Sequence, residues 1–251
     1  ICMVRLPSLI SGSVYMNCCG KVVCRGCVFA FQSRALLAGK PVKEQLCPFC
    51  RTPPPTSDEE EIERLEKRIE MNDARSLYNL GCVYKNGRLG TEQNRAKALE
   101  LWHQSAKLGD DADAYYNIAY AYDNGIGVER NAKKSKHYWE LSAMGGNLHA
   151  RNNLGIMEGQ KRNINMNRAL KHFMVAVKDG DSNALKNIKM MVSGGDASKA
   201  DFEKALRYFQ AHLDEIKSDQ RDQAAAFSDA WKYYESATGP VNMPVFTPRR
   251  R

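Results

Sequence analysis

The stretch CCGKVVCRGC, residues 18–27, holds four cysteines, and Cys2, Cys47 and Cys50 lie in the same N-terminal part of the chain. Thiols this dense can serve as disulfides, as a redox dithiol or as metal ligands, and each use needs a different setting. A secreted disulfide scaffold spreads an even number of cysteines over a small domain; here tight C-x-x-C pairs stand before a long segment whose one cysteine is Cys82. The pattern fits a reducing compartment, cytosol or nucleus. A redox dithiol at Cys24-Arg25-Gly26-Cys27 wants strand–helix alternation around it, which the sequence does not suggest. Metal ligation fits best. Cys24-x-x-Cys27, nineteen intervening residues and Cys47-x-x-Cys50 is zinc spacing, because each C-x-x-C knuckle aims two thiolates at one tetrahedral ion. Cys82, within LGCVY of a predicted helix, is most simply core packing.

A zinc ribbon would join these two pairs around one ion and leave Cys2, Cys18 and Cys19 over. In full order, ICMV, CCGKVVCRGC and CPFCR resemble a RING finger, a family that interleaves its ligand pairs around two zinc ions. The resemblance implies a first site from Cys2, Cys24 and Cys27 with a ligand upstream of Ile1, and a second from Cys47 and Cys50 with ligands of the Cys18–Cys19 region. This chain departs from the family where Cys19-Gly20-Lys21 replaces the usual cysteine, glycine and histidine, since a protonated lysine cannot ligate zinc. Cys18 then completes the second site; the alternative is that Cys18 is a small buried side chain. Because the text begins in mid-pattern at Ile1, the N-terminus is expected to be truncated and any targeting signal unreadable.

RING fingers similar to this one act as ubiquitin ligases with no catalytic residue of their own, holding a ubiquitin-conjugating enzyme and its thioester near a substrate. The resemblance assigns the conjugating-enzyme contacts to Ile1, Phe31 and Pro48, and the hydrogen bonds that hold ubiquitin in its reactive pose to Arg51. A plainer role stays open for each: Ile1 and Phe31 as core, Pro48 as a turn former, Arg51 as a solvated cation. The alternative for the whole chain is a non-enzymatic adaptor whose zinc is only structural.

The elements behind the cysteines are of another kind. TPPPTS, 52–57, is a stiff connector whose prolines can continue neither helix nor central strand. An acidic helix, 58–71, follows: Ser57 and Glu60 stand at capping-box spacing, acids fill the first turn, and Ile62, Leu65 and Ile69 form one apolar stripe. From 72 to 213 the text repeats. ARSLYNLGCVYKNG, ADAYYNIAYAYDNG and LHARNNLGIMEG align Leu80, Ile118 and Leu154, and the second halves align Trp102, Trp139 and Phe173. A period near 36 residues means stacked helix pairs. Small residues (Gly81, Ala119, Gly155, Ala106, Ala143) allow close approach where those aromatics fill the layer. The units resemble Sel-one-like repeats of the tetratricopeptide superfamily, three clear and one degenerate, which implies a scaffold that binds a protein substrate. A helix over 219–237, with Phe227, Trp231 and Tyr234 on one face, is expected to cap the stack, and 238–251 is expected to be disordered. The fold class is therefore mostly α: an α-solenoid preceded by a small zinc-stapled RING-like domain, 1–51.

Composition excludes several alternatives. The chain has 251 residues, 43% apolar and 26% charged, and no apolar run approaching the roughly 18 residues of a membrane span, so no membrane partner is expected. The net charge of +8 does not make a nucleic-acid binder, because residues 1–57 carry seven Lys and Arg against Glu44 and two tetrathiolate zinc sites would offset most of that excess. The five histidines (103, 137, 149, 172, 212) are scattered singly, and Gly125-Ile126-Gly127 is a repeat turn without a preceding strand.

Overall fold

The computed structural model describes residues 13–37, 39, 46–109, 111–160 and 165–227. Ile1, Cys2, Trp231, Tyr234 and the basic tail lie outside the described residues.

The N-terminal module opens with a hairpin. β1 (Ser13–Met16) pairs antiparallel with β2 (Lys21–Cys24), Ser13 facing Cys24 and Met16 facing Lys21. The turn between them is closed by Cys19 N and Gly20 N, which donate to Met16 O at 3.1 and 2.8 Å. β2 runs directly into α1 (Arg25–Leu37), so Cys24 and Cys27 flank a strand–helix junction that the sequence did not suggest. The sheet is a two-stranded antiparallel hairpin, however, with no parallel strand among the described residues. Cys24 and Cys27 are buried, unlike the accessible thiols of a redox pair.

Past the prolines, α2 (Asp58–Glu70) starts where its cap predicts: Ser57 Oγ accepts from Glu60 N at 3.2 Å. The return arm falls one residue earlier than a capping box expects, because Glu60 Oε2 accepts from Thr56 N and Thr56 Oγ1, both at 2.8 Å. Arg64 pairs with Glu60 and also donates to Pro53 O at 2.9 Å, which ties the proline connector to the helix. The stripe of Ile62, Leu65 and Ile69 packs against Leu77, Leu80, Val83 and Leu101 of the first repeat.

The repeats follow as α3 (Ala74–Asn86) with α4 (Arg95–Gly109), α5 (Ala112–Asn124) with α6 (Ala132–Met144), α7 (Leu148–Gln160) with α8 (Met166–Lys178), and α9 (Ser182–Gly194) with α10 (Lys199–Ile216). Much of the local chemistry recurs along the stack. Asp73, Asp111 and Asp181 cap α3, α5 and α9, each side chain accepting from two first-turn amides. Gly87 and Gly125 end α3 and α5 in the left-handed conformation, φ 61° and 69°. Ser105 Oγ donates to Ala74 O and Ser142 Oγ to Ala112 O, each at 2.7 Å, which joins the second helix of a pair to the first turn of its partner. Between pairs, Asp113 accepts from Arg75 at 2.7 Å and from Asn147 at 2.9 Å, and buried Asn187 donates to Asn152 at 2.9 Å.

The contact of small residue with aromatic is as close as the repeat pattern implies. A Cβ on Gly81 would meet the Trp102 indole at 2.6 Å, and one on Gly155 would meet the Phe173 ring at 2.5 Å; in the middle pair Ala119 packs with Trp139. α10 covers both α8 and α9.

α11 (Asp219–Phe227) is the first part of the helix expected to cap the stack, whose remainder lies outside the described residues. Its chief partner among the described residues is α1 of the N-terminal module, while α10 already covers the last repeat. Ala224 and the Arg221 side chain are fully buried, and a Cβ on Gly26 would come within 2.6 Å of the Arg221 backbone. The close approach of helix to helix at Gly26 explains the choice of partner.

Gly155→Val is expected to lower stability by about 1–3 kcal/mol by overpacking against Phe173, read as a lower urea midpoint by circular dichroism. Met144→Ala, at a side chain 79% exposed, is expected to leave the midpoint in place. Equal midpoints for Gly155→Val and the parent would contradict this packing.

Candidate metal centre

Four sulfurs from two separate segments meet at one point. Cys18 and Cys19 stand in the hairpin turn, Cys47 and Cys50 in the knuckle after α1, and their Sγ atoms all lie within 4.8 Å of one another. Cys19 Sγ is 3.8 Å from Cys47 Sγ, and Cys50 Sγ is 3.4 Å from Cys18 Sγ. Thiolates held at about 2.3 Å by one tetrahedral ion are about 3.8 Å apart, so the donor set fits a single tetrahedral metal ion. All four are free cysteines.

The backbone holds the knuckle in this shape. Arg51 N donates to Cys47 O at 3.0 Å and Cys47 N to Thr52 O at 2.8 Å, which closes a tight loop round Pro48, Phe49 and Cys50. Closure puts Arg51 at φ 62°, a left-handed position that a non-glycine residue rarely takes, and leaves it exposed. The second knuckle, Cys24 to Cys27, is shaped by Cys27 N donating to Cys24 Sγ at 3.3 Å and contributes no sulfur to the cluster. Cys2, expected beside Cys24 and Cys27, and Ile1 lie outside the described residues.

Burial and hydrogen bonds set the electrostatics of the cluster. Burial, followed by hydrogen bonds with Cys50 and Cys47, pushes the Cys18 thiol far above its ordinary value, and burial raises Cys19 as well. Cys50 goes the other way: the Thr52 hydroxyl, 3.1 Å from its sulfur, stabilises the thiolate and brings it down to about 6. Among the described residues no histidine joins the group. Lys21, in the usual histidine position, is exposed at the start of β2.

Phe31 and Pro48 come together. Both line a cleft with Met16, Leu46 and Pro54, and both line a second cleft with Val23, Arg34 and Gln220 of α11. Cys82 lies half-buried against the first repeat's core, where burial raises its thiol, in keeping with packing.

One functional feature has no counterpart in the sequence patterns above: the joint between module and stack. Asp73 Oδ1 caps α3, while Oδ2 accepts from the Tyr15 hydroxyl at 2.6 Å and from Arg68 at 2.9 and 2.6 Å. Burial would raise Asp73, but these donors outweigh it and hold the carboxylate below its ordinary value. Gly20, at φ 71°, gives the Arg68 guanidinium room where any Cβ would collide with it. The available signal was an aspartate directly before a helical run, a cap position.

The Sel1 repeat model matches residues 74–110, 112–147, 148–181 and 190–211, more than half of the chain. Curated relatives that match include an ERAD-associated E3 ubiquitin-protein ligase component, HRD3B, of Arabidopsis thaliana, 28% identical over 40% of this chain, and chitin synthase regulatory factor 2 of Schizosaccharomyces pombe, 30% identical over 33% of it. The chain spans only 15% and 16% of the lengths of these relatives. Among solved structures, a Sel1 repeat protein from Oxalobacter formigenes aligns with TM-score 0.56 at 22% identity, over 76% of this chain and 79% of that one. A protective antigen of uropathogenic Escherichia coli with the same type of fold aligns with TM-score 0.53 at 21% identity, over 66% of this chain and 36% of that one. These likenesses show the fold of the helical stack.

In metal-free protein, Cys50 is expected to alkylate with iodoacetamide before Cys18, with a rate rising through a midpoint near pH 6, and Thr52→Val is expected to move that midpoint upward. Peptide mapping of timed reactions reads both. One shared pH profile for all four thiols would contradict the assigned environments.

Proposed function

We propose that this chain, which belongs to the Sel1 repeat family, is a zinc-binding ubiquitin ligase of RING type. Its N-terminal module recruits a ubiquitin-conjugating enzyme, and its helical stack, a protein-interaction scaffold, holds the protein substrate. The observation that carries the proposal is the convergence of Cys18, Cys19, Cys47 and Cys50, with Pro48 inside the knuckle and Arg51 just after it. Pairing the last knuckle with the hairpin turn, and leaving Cys24 and Cys27 to a separate site, is the interleaved order of a RING finger; a ribbon would pair Cys24 and Cys27 with Cys47 and Cys50. Bound zinc would neutralise the thiolates and fix the two segments against each other. A second ion would fall to Cys24, Cys27 and Cys2 with a ligand upstream of Ile1.

The chemistry asked of the module is restraint. Phe31 and Pro48, on shared clefts, are suited to hold an apolar loop of the conjugating enzyme, and exposed Arg51 to donate hydrogen bonds to ubiquitin. The joint at Asp73 fixes the module to the first repeat, so that a substrate on the stack and a thioester at the module would keep a limited range of separations. That a relative is named as a component of a ubiquitin ligase is consistent with this setting.

Lys21 at the usual histidine position, and a relative named as a regulatory factor of chitin synthase, favour a second reading: an adaptor in which the metal only supports the fold.

Purified protein that includes the ligand expected upstream of Ile1, with activating enzyme, a panel of conjugating enzymes and ubiquitin, is expected to form ubiquitin chains, with the rate falling at least about tenfold in Arg51→Ala and in Pro48→Ala. Bound zinc without transfer by any conjugating enzyme would replace the ligase reading with the adaptor.

A further inference from the structure

The C-terminal helix sits on the face of the N-terminal module that the proposed function requires to be open. α11 presents Arg221, Ala224 and Phe227 along one side, three or so residues apart, and lays that side on α1. Ala224 is fully buried there, the Arg221 guanidinium donates to Ile216 O at the C-terminal end of α10, and the Phe227 ring packs on the Phe29 ring at 5.3 Å between centroids. Gly26 of α1 lets the two backbones approach, since any side chain there would strike Arg221. Gln220, in the first turn of α11, closes one side of the cleft that Phe31 and Pro48 share.

We infer that α11 is a built-in competitor of the conjugating enzyme, an intramolecular mask over the Phe31 and Pro48 face of the module. The inference rests on the ligase reading and adds its regulation. A conjugating enzyme that enters the cleft shared by Phe31, Pro48 and Gln220 meets the docked helix there, so helix and enzyme compete for that space. The contact is suited to reversibility. It is short, its outermost ring, Phe227, is 72% exposed, and its two fully buried side chains are Ala224, which is small, and Arg221, a cation whose burial costs solvation, so undocking uncovers little apolar surface. The helix is continuous with the last repeat through residues 217 and 218, so a partner that bends or covers α10 would shift the balance between docked and free.

The test uses the complete chain. Ala224→Glu places a charge in the centre of the contact, and Phe227→Ala, at an exposed ring, weakens it without disturbing any core. Zinc content and circular dichroism report that each variant is folded. Hydrogen exchange of the α1 amides reports undocking, and discharge of a conjugating enzyme's ubiquitin thioester onto free lysine reports access. The expected result is faster exchange in α1 with discharge raised roughly tenfold in Ala224→Glu and by about two- to threefold in Phe227→Ala. Faster exchange with unchanged discharge, in a parent that is active and sensitive to Pro48→Ala, would overturn the mask and leave the ligase reading standing. Faster exchange with no discharge and no binding of any conjugating enzyme, in parent or variants, would overturn both. Unchanged α1 exchange in Ala224→Glu would overturn the docked helix itself.

Discussion

The module turns on the meeting of four sulfurs from two separate segments of the chain. Its own core is small: Val23, Cys24 and Cys27 buried, with Val14, Met16 and Val28 packed around them. One hairpin and one helix of this size bury too little apolar surface to be stable alone, which is the usual reason for a metal staple. Burial first, and the neighbouring sulfurs after it, make Cys18 and Cys19 resist ionising, and thiolates this close would also repel one another. A dication at the centre, as proposed, removes that repulsion and converts it into the force that closes the knuckle on the hairpin.

The rest of the molecule is built to carry this module at a defined angle. A helical solenoid is stabilised mainly between neighbours, so its first repeat needs something on its open face. Here α2 and the hairpin supply it: the α2 stripe covers Leu77 and Leu80, and Asp73 binds Tyr15, Arg68 and the start of α3 at once. Pro53, held by Arg64, keeps the connector against α2 and not free in solvent. Relative orientation is thereby set by hydrogen bonds at a half-buried joint, which suits a function that depends on keeping two bound proteins close.

How much of this could be read from the sequence follows from how local each feature is. The repeats were legible because the same contact recurs about every 36 residues, so that Gly81 with Trp102 and Gly155 with Phe173 leave a periodic trace. The cysteine knuckles were legible because C-x-x-C spacing is itself the geometry of ligation. The strand–helix junction at Cys24 was not expected, since KVVC is too short for a periodic signal. The joint at Asp73 joins residues with no repeating relation, and Asp73 alone suggests only a cap. The docking of α11 on α1 brings the two ends of the described chain together, and depends on Gly26, whose missing side chain means nothing until its neighbour is known. The shift of the Glu60 contact from Ser57 to Thr56 shows the scale at which motif spacing stops deciding partners.

The most direct measurement of the central claim is X-ray absorption at the zinc edge on the purified chain. With the other knuckle removed by Cys24→Ser and Cys27→Ser, so that only the site of Cys18, Cys19, Cys47 and Cys50 is read, the account predicts a first shell of four sulfurs at about 2.3 Å with no nitrogen contribution. Absence of zinc, or a shell containing nitrogen or oxygen, would contradict the crossing of hairpin and knuckle around a metal ion.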